Sequence, residues 1–181
     1  MKLNLIAAIS VDGAIGNDDT LLWYIKEDFK HYKNLTVGNI CIVGLNTYFT
    51  LPHMALQRRT HIVVTGGDPR GMDIPPNTSN SSVYTAETLE DAIIKAEAFS
   101  FMDTRKIFFI GGAQLYNAVM NKDLADELDI TWINKLYPDA NKRFPIQKIF
   151  DNYILEDMHV EDTWSKSITG YLYKFCKYKK N

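Results

Sequence analysis

The sequence predicts an α/β fold: a single domain with a central, mostly parallel twisted sheet, helices on both faces and a C-terminal antiparallel hairpin. The chain has 181 residues, a length that favours one domain spanning residues 1–181. Hydrophobic residues make up 46% and charged residues 23% of it, ordinary globular values that exclude disorder. Short apolar runs rich in β-branched residues alternate with helix-like segments, and this alternation is typical of a parallel sheet covered by helices.

Five apolar runs are the predicted strands. Leu3–Val11 is nearly continuous, as expected of a central strand covered on both faces. The other predicted strands are Ile40–Val43, His61–Thr65, Lys106–Ile110 and Leu128–Ile133. The predicted helices between them are Glu27–Leu35, Leu89–Phe99 and Ala113–Met120. Thr88 and Asp91 stand in capping-box spacing at the start of the second helix.

Two stretches depart from the alternation. Gly66–Ser82 is rich in turn-forming residues and is predicted to be a surface loop. Ile154–Thr163 and Tyr171–Tyr178 alternate like strands with one exposed face and flank a polar turn. They predict an antiparallel hairpin added at the edge of the sheet.

Charge and composition exclude several classes of function. The 20 basic and 22 acidic residues leave a net charge of −2, which argues against a nucleic-acid partner but not against a small anionic ligand. No run approaches the ~20 apolar residues of a membrane span, so we expect no membrane partner. Cys41 and Cys176 lie far apart in apolar stretches, and the four histidines lack metal-ligand spacing. We expect a cytoplasmic protein with reduced cysteines and no metal.

One acidic residue lies on an apolar helix face. Asp28 shares its face of the first predicted helix with Ile25, Phe29, Tyr32 and Leu35. One interpretation is a first-turn carboxylate that complements the helix dipole. The other is a partly buried carboxylate that awaits a cationic or donor-rich ligand and has a raised pKa without it. The residues alone leave both open.

Two further features lie where ligands bind in open α/β sheets, beyond the carboxyl ends of the strands. Gly111 and Gly112 join a predicted strand to a helix. They favour either a tight turn or a close backbone approach that offers helix N–H groups to a phosphate. The long segment Asp12–Trp23 is typical of a lid, although Trp23 beside an apolar pair also suits a core position.

Taken in order, these features resemble the dihydrofolate reductase family. The stretches that carry the resemblance are LIAAISVDGAIG, LLW, EDF, VGLNTY, RRTHIVVT, IGGAQLY, TWI and RFP, from the first strand to about Pro145. The resemblance implies NADPH-dependent reduction of 7,8-dihydrofolate to tetrahydrofolate, with hydride transfer to C6 and protonation at N5, in one-carbon and thymidylate metabolism. It also implies a monomer that binds this small-molecule substrate and antifolates.

The resemblance assigns a substrate site. Asp28 would accept hydrogen bonds from the pterin 2-amino group and N3, Thr131 would support its carboxylate, and Trp23 would help to hold a water near it. These three are the expected catalytic residues. The expected apolar walls are Ile6, Phe29, Tyr32, Leu51 and Leu56. Arg59 would pair with the α-carboxylate of the glutamate tail, with the adjacent Arg58 as the alternative.

The resemblance also assigns NADPH as the cofactor. It implies that the nicotinamide lies against backbone groups of the first strand and its following loop, and that the pyrophosphate lies at two helix starts. The expected cofactor-binding residues are Ala8, Ile15, Gly16, Leu21, Gly44, Thr47, Val64, Thr65, Ile110, Gly111, Gly112, Ala113, Gln114, Leu115 and Tyr116. The Gly111–Gly112 peptide bond is expected to be cis, which is rare outside proline.

The chain departs from the family where basic side chains normally hold the 2′-phosphate of NADPH. Leu45, Asn46 and Gln114 stand at those positions. Thr65 could still donate to the phosphate, and Arg70 in the nearby loop could supply positive charge. We therefore expect NADPH as the usual donor, with a weaker preference over NADH than the family has. Leu22, in place of the usual proline before the tryptophan, also changes the stiffness of the loop.

Two alternatives remain beside dihydrofolate reduction. The same fold serves the pyrimidine reductase of riboflavin synthesis, but that branch lacks the pterin-binding carboxylate, so Asp28, Thr131 and Arg59 count against it. A folate-binding protein without turnover would follow if the missing basic side chains prevented cofactor capture. Binding of antifolate but of neither dinucleotide would favour this last reading.

Overall fold

A computed structural model of the chain describes residues 1–18, 20–51, 56–70, 72–74, 80–159 and 163–181. The helices are α1 (Lys26–Thr36), α2 (Leu45–Thr50), α3 (Leu89–Asp103), α4 (Ala113–Asn121) and α5 (Ile146–Asn152). The strands are β1 (Leu3–Ser10), β2 (Ala14–Gly16), β3 (Ile40–Gly44), β4 (Thr60–Val64), β5 (Ser82–Ala86), β6 (Ile107–Phe109), β7 (Glu127–Ile133), β8 (Lys142–Arg143), β9 (Tyr153–His159), β10 (Ser165–Lys166) and β11 (Leu172–Lys180).

The main sheet confirms the predicted fold class. Its strand order is β10-β11-β7-β1-β6-β3-β4-β5, with β9 paired to β11. The six strands from β7 to β5 pair in parallel, and β11 lies antiparallel to β7. β6 lies between β1 and β3 in the sheet. The connection from β1 to β3 therefore skips one strand position, which β6 occupies later in the sequence. Parallel sheets of this kind bind ligands where the strand order switches.

All five predicted strands and all three predicted helices form, with ends shifted by a few residues. The predicted cap of α3 is confirmed, since the Thr88 hydroxyl accepts a hydrogen bond from the Asp91 backbone N–H at 3.1 Å. The sequence reading missed α2, α5 and β5. The helices have six and seven residues, too few for a helical period to stand out, and β5 begins at Ser82, inside the predicted loop.

The C-terminal strands confirm the predicted hairpin and correct its turn. β9 and β11 pair antiparallel at the sheet edge, but the polar segment between them includes β10, which also pairs with β11. The predicted long loop Asp12–Trp23 is likewise partly structured, because β2 pairs with β8. Residue 19 of this loop, residues 71 and 75–79 of the predicted surface loop and residues 160–162 of the predicted first hairpin strand lie outside the described residues.

Side chains alternate between two buried faces of the sheet. On one face, Leu5 and Ile9 of β1 join a cluster with α3, α4 and α5. On the other, Ile6 joins Cys41 and Val43 beneath α1 and α2. Both cysteines are free and buried, as predicted. Among the described helices, none is long and apolar enough to cross a membrane.

Candidate active site

The carboxyl ends of β3 and β6 meet through their backbones. The Gly44 N–H donates to the Gly111 carbonyl at 2.8 Å, and the Ile110 N–H donates to the Ile42 carbonyl at 3.0 Å. These contacts bring the starts of α2 and α4 together at the strand-order switch. Neither Gly44 nor Gly112, the two N-cap residues, has a side chain that could cap its helix. The first N–H groups of both helices are therefore available to an anion.

Glycine is required here by close contacts. A Cβ on Gly112 would lie 2.4 Å from the Thr47 hydroxyl oxygen, well inside van der Waals contact. Gly111 has φ +104°, and a Cβ there would lie 3.0 Å from the Tyr116 ring. The Gly111–Gly112 bond is cis, as expected. The pair forms a tight strand–helix turn with close backbone contacts, and its expected role toward a phosphate stays a prediction.

Asp28 lies in the first turn of α1 and is only partly exposed. Burial raises the pKa of Asp28 above its ordinary 3.8, and the hydrogen bond from Thr131 opposes part of that rise. The residue thus lies at a helix N-terminus and is also partly buried with a raised pKa, which are the features that each interpretation required. That it binds a ligand with N–H groups stays a prediction.

Two buried tyrosines lie in the electrostatic field of Asp28. The Tyr116 hydroxyl donates to the Ile6 carbonyl at 2.7 Å, and its pKa is raised by burial and then by the charge of Asp28. The pKa of Tyr173 on β11 is raised by burial and then by Glu27 and Asp28. Sequence reasoning missed Tyr173. The alternation of the hairpin strand predicts which face of the sheet Tyr173 lies on. Its position along that face depends on the register between β11 and β7, which pairs Tyr173 with Ile133.

Trp23 is 8% exposed and packs with Ile25, Ile133 and Tyr173. Its ring lies 5.6 Å from the ring of Tyr137, centroid to centroid. The core position foreseen for this residue is therefore observed. The expected role of Trp23 near a bound water stays a prediction.

The residues expected to form the apolar walls differ in their burial. Ile6 is buried, and Tyr32 and Leu51 pack on the same cluster of the sheet. Phe29 is 41% exposed and lies against the ring of Tyr24 at 5.2 Å. Leu56 is partly buried.

The structure separates Arg59 from Arg58. Arg59 is 7% exposed, and its guanidinium donates to the Thr36 hydroxyl and to the Gln57 carbonyl, each at 2.9 Å. It also lies 5.7 Å from the centre of the Tyr32 ring. Arg58 is exposed. A guanidinium fixed in this way beside an expected wall residue favours Arg59 as the anion-binding side chain of the two.

The residues expected to bind the cofactor differ in their burial. Ala8 and Ile15 are half-buried, Gly16 is buried and Leu21 is 67% exposed. Val64 packs on the cluster beneath α3 and α4. At the start of α4, Leu115 is buried, Ala113 is partly buried and Gln114 is exposed.

Two groups proposed to meet a 2′-phosphate are otherwise engaged. The Thr65 hydroxyl donates to backbone carbonyls, those of Gly67 and of Ala86. Arg70 pairs with Asp68 through both its Nε, at 2.7 Å, and its terminal amine. A phosphate at this place would compete with these contacts, so the expected roles of Thr65 and Arg70 stay predictions.

A sequence model of the family described as "Dihydrofolate reductase" matches residues 2–180 of this chain. The chain belongs to the dihydrofolate reductase family. It is accordingly an enzyme of the oxidoreductase class.

Curated relatives agree with this assignment. A dihydrofolate reductase from Buchnera aphidicola is 28% identical over 82% of this chain and 85% of its own length. The dihydrofolate reductase type 9 of Escherichia coli is 31% identical over 64% of this chain and 62% of its own length. A bifunctional dihydrofolate reductase-thymidylate synthase of Acanthamoeba polyphaga mimivirus is 29% identical over 91% of this chain. The chain spans only 28% of that viral protein.

Proposed function

We propose that this chain reduces 7,8-dihydrofolate to tetrahydrofolate, with NADPH as its usual cofactor. The observation that carries the proposal is the partly buried carboxylate of Asp28, whose pKa is raised by burial and lowered in part by hydrogen bonding with Thr131. A pterin presents two N–H donors side by side, at its 2-amino group and at N3. An ionised carboxylate accepts both in one bidentate contact, which fixes the plane and the direction of the ring.

The residues of the chain bind and orient the substrate. Asp28 holds the pterin, Ile6, Phe29 and Tyr32 cover its faces and the aminobenzoyl ring, and Arg59 pairs with the carboxylate of the glutamate tail. NADPH, when bound, supplies the hydride that reduces C6. The proton reaches N5 by way of water near Asp28 and Trp23. No covalent intermediate is needed, and positioning with electrostatic stabilisation provides the rate.

The glycine contact supports a dinucleotide beside the pterin. The uncapped starts of α2 and α4 offer N–H groups to a pyrophosphate, and Gly112 leaves the space that a side chain would fill. The adenosine side is less favourable to a phosphate. Leu45, Asn46 and Gln114 carry no positive charge, and the charge of Arg70 is compensated by Asp68.

The proposed cofactor preference follows from this charge deficit. Each missing charge-assisted contact to the 2′-phosphate removes about 1.5–3 kcal/mol of discrimination, or roughly 10–100-fold. We expect the ratio of kcat/KM for NADPH over NADH to stay below about 100. Steady-state kinetics with both dinucleotides measures it, and a preference of several orders of magnitude would contradict the reasoning.

Assays with two substrates test the reaction itself. Oxidation of NADPH with dihydrofolate, compared with the ribose-bearing intermediate of riboflavin synthesis, separates the proposal from the other reductase of this fold. A folate binder without turnover is the second candidate, favoured by the same charge deficit. Thermal shift with methotrexate, alone and with each dinucleotide, tests it, since stabilisation by the antifolate only would support the binder. The cytoplasmic location and the absence of nucleic-acid and membrane partners stay predictions from the sequence.

A further inference from the structure

Tyr137, which follows β7, bonds both ends of the loop formed by residues 12–23. Its backbone N–H donates to the Asp12 carboxylate at 2.9 Å, at the start of this loop. Its hydroxyl donates to the Leu22 carbonyl at 3.1 Å, directly before Trp23 at the end of the loop. The resemblance drawn from the sequence assigned no role to Tyr137. One residue therefore joins two loop ends that are separated by the whole loop in the sequence.

The ring of Tyr137 is held by further contacts. It lies 5.6 Å from the ring of Trp23, centroid to centroid, and both Leu22 and Tyr137 pack on the apolar cluster that contains Trp23. The ammonium group of Lys135 lies 5.0 Å from the centre of the Tyr137 ring and 5.3 Å from that of the Tyr171 ring. A cation at these distances is attracted to both rings. These contacts restrict the ring and so keep its hydroxyl at the Leu22 carbonyl.

Arg143 holds the backbone of Tyr137 against the start of the loop. Its guanidinium donates to the Asp12 carbonyl and to the Tyr137 carbonyl, each at 2.8 Å. Arg143 lies on β8, which pairs with β2 inside the loop. Burial raises the pKa of Asp12, but these hydrogen bonds and that from Ser10 outweigh burial and hold it below the ordinary 3.8. The carboxylate that accepts from Tyr137 is therefore ionised at neutral pH.

We propose that Tyr137 is a positioning residue that holds the two ends of loop 12–23 together and thereby fixes Trp23. Leu22 places no covalent restraint on its own backbone, as a proline would, so contacts must fix this end of the loop. The hydroxyl of Tyr137 supplies such a contact. Its effect on the reaction rests on the proposed function, because loop 12–23 contains residues expected to bind the cofactor and Trp23 is expected to hold a water.

Tyr137→Phe tests the hydroxyl alone. It removes the bond to Leu22 but retains the ring and the backbone donation to Asp12. Tyr153→Phe is the matched control, because the Tyr153 hydroxyl also donates to a backbone carbonyl, that of Ala125, at 2.9 Å. Ala125 precedes β7, at the opposite end of this strand from Tyr137. Both variants lose one hydrogen bond of the same kind, and only the first loses it at the loop.

Hydrogen exchange of the ligand-free protein measures the opening of the loop without any assay of activity. The backbone N–H groups of Asn17 and Thr20 donate to each other's carbonyls, so their exchange requires local opening. Loss of one hydrogen bond is expected to speed exchange in peptides covering residues 13–22 by about 2–10-fold in Tyr137→Phe. Tyr153→Phe is expected to leave exchange in these peptides unchanged. Unchanged exchange in Tyr137→Phe, or equal acceleration in both variants, would overturn the proposal.

Single-turnover kinetics with NADPH and dihydrofolate tests the positioning role. The rate of hydride transfer is expected to fall at least about twofold in Tyr137→Phe, with KM for dihydrofolate retained because Asp28 is unchanged. A wild-type rate of hydride transfer in a variant whose loop exchanges faster would refute the positioning role. A wild-type protein that does not reduce dihydrofolate, but whose loop exchanges faster in Tyr137→Phe, would refute the proposed function and support the restraint of the loop by Tyr137.

Discussion

Asp28→Asn isolates the charge of the carboxylate from its shape. The amide keeps an oxygen that can accept a hydrogen bond from Thr131. The amide loses the charge-assisted bidentate contact to the pterin, because its NH₂ group would face one of the two pterin N–H donors. Hydrogen bonds to charged groups contribute about 1.5–3 kcal/mol each, so replacing two of them by one neutral contact costs about 3–4 kcal/mol. At about 1.4 kcal/mol per factor of ten, kcat/KM for dihydrofolate should fall roughly 10²–10³-fold at neutral pH.

The free energy of unfolding of Asp28→Asn, unlike its activity, should not fall at neutral pH. Burial raises the pKa of Asp28 above 3.8, so the fold binds this proton more tightly than the unfolded chain does. The free energy of unfolding therefore loses a contribution as pH rises through the interval between 3.8 and the raised pKa. Asn carries no such penalty, so at neutral pH Asp28→Asn should be at least as resistant to urea as the wild type.

Glu27→Gln is the matched control. It removes one negative charge from the same helix turn but retains the oxygen that accepts from the Ile168 N–H. The measurements are kcat/KM against pH and urea unfolding for both variants. The wild-type rate should fall as pH drops below the raised pKa of Asp28, and Asp28→Asn should lack this limb. Near-normal turnover in Asp28→Asn, or an equal loss in Glu27→Gln, would refute the assigned role and leave only the helix-dipole effect.

Three further predictions concern other parts of the site. Arg59→Lys should raise KM for dihydrofolate about 10–100-fold through loss of a bidentate contact, while Arg58→Lys should not, and steady-state kinetics compares them. Gly112→Ala should raise KM for the dinucleotide at least about tenfold, because its Cβ meets the Thr47 hydroxyl at 2.4 Å. Adding Gly112→Ala to Thr47→Ala should cost little more, and a full further loss would contradict the steric reason. His61 is fully buried, with neither ring nitrogen bonded to the described residues, and burial and the nearby Arg59 charge lower its pKa to about 4 from 6.5. The unfolded chain therefore binds its proton first as pH falls, so stability should drop by about 2 kcal/mol from pH ~7 to pH ~5, and His61→Leu should remove that part of the drop in urea unfolding.

Local sequence patterns predicted the elements with strong periods. The alternation in β11, the continuous apolar run of β1 and the capping pair before α3 each depend on neighbours along the chain. Short elements such as α2 were missed because six residues carry no readable period. The contacts of the Thr65 hydroxyl with the carbonyls of Gly67 and Ala86 were not predicted. Such contacts form only when a turn closes, and no spacing rule indicates them.

The identity of a side chain and its position within a helix or strand are properties of the sequence, and these were enough to single out Asp28, the pair Gly111-Gly112 and the order of strands and helices. The distances between these residues in the fold are not properties of the sequence. The 2.8 Å bond between Gly44 and Gly111 joins residues far apart in the chain, and the choice between Arg58 and Arg59 depends on which of the two packs beneath α1. Packing decides these distances and which side chains are buried. A helical or strand period depends only on neighbours along the chain, whereas the burial of a side chain depends on all the segments that pack around it.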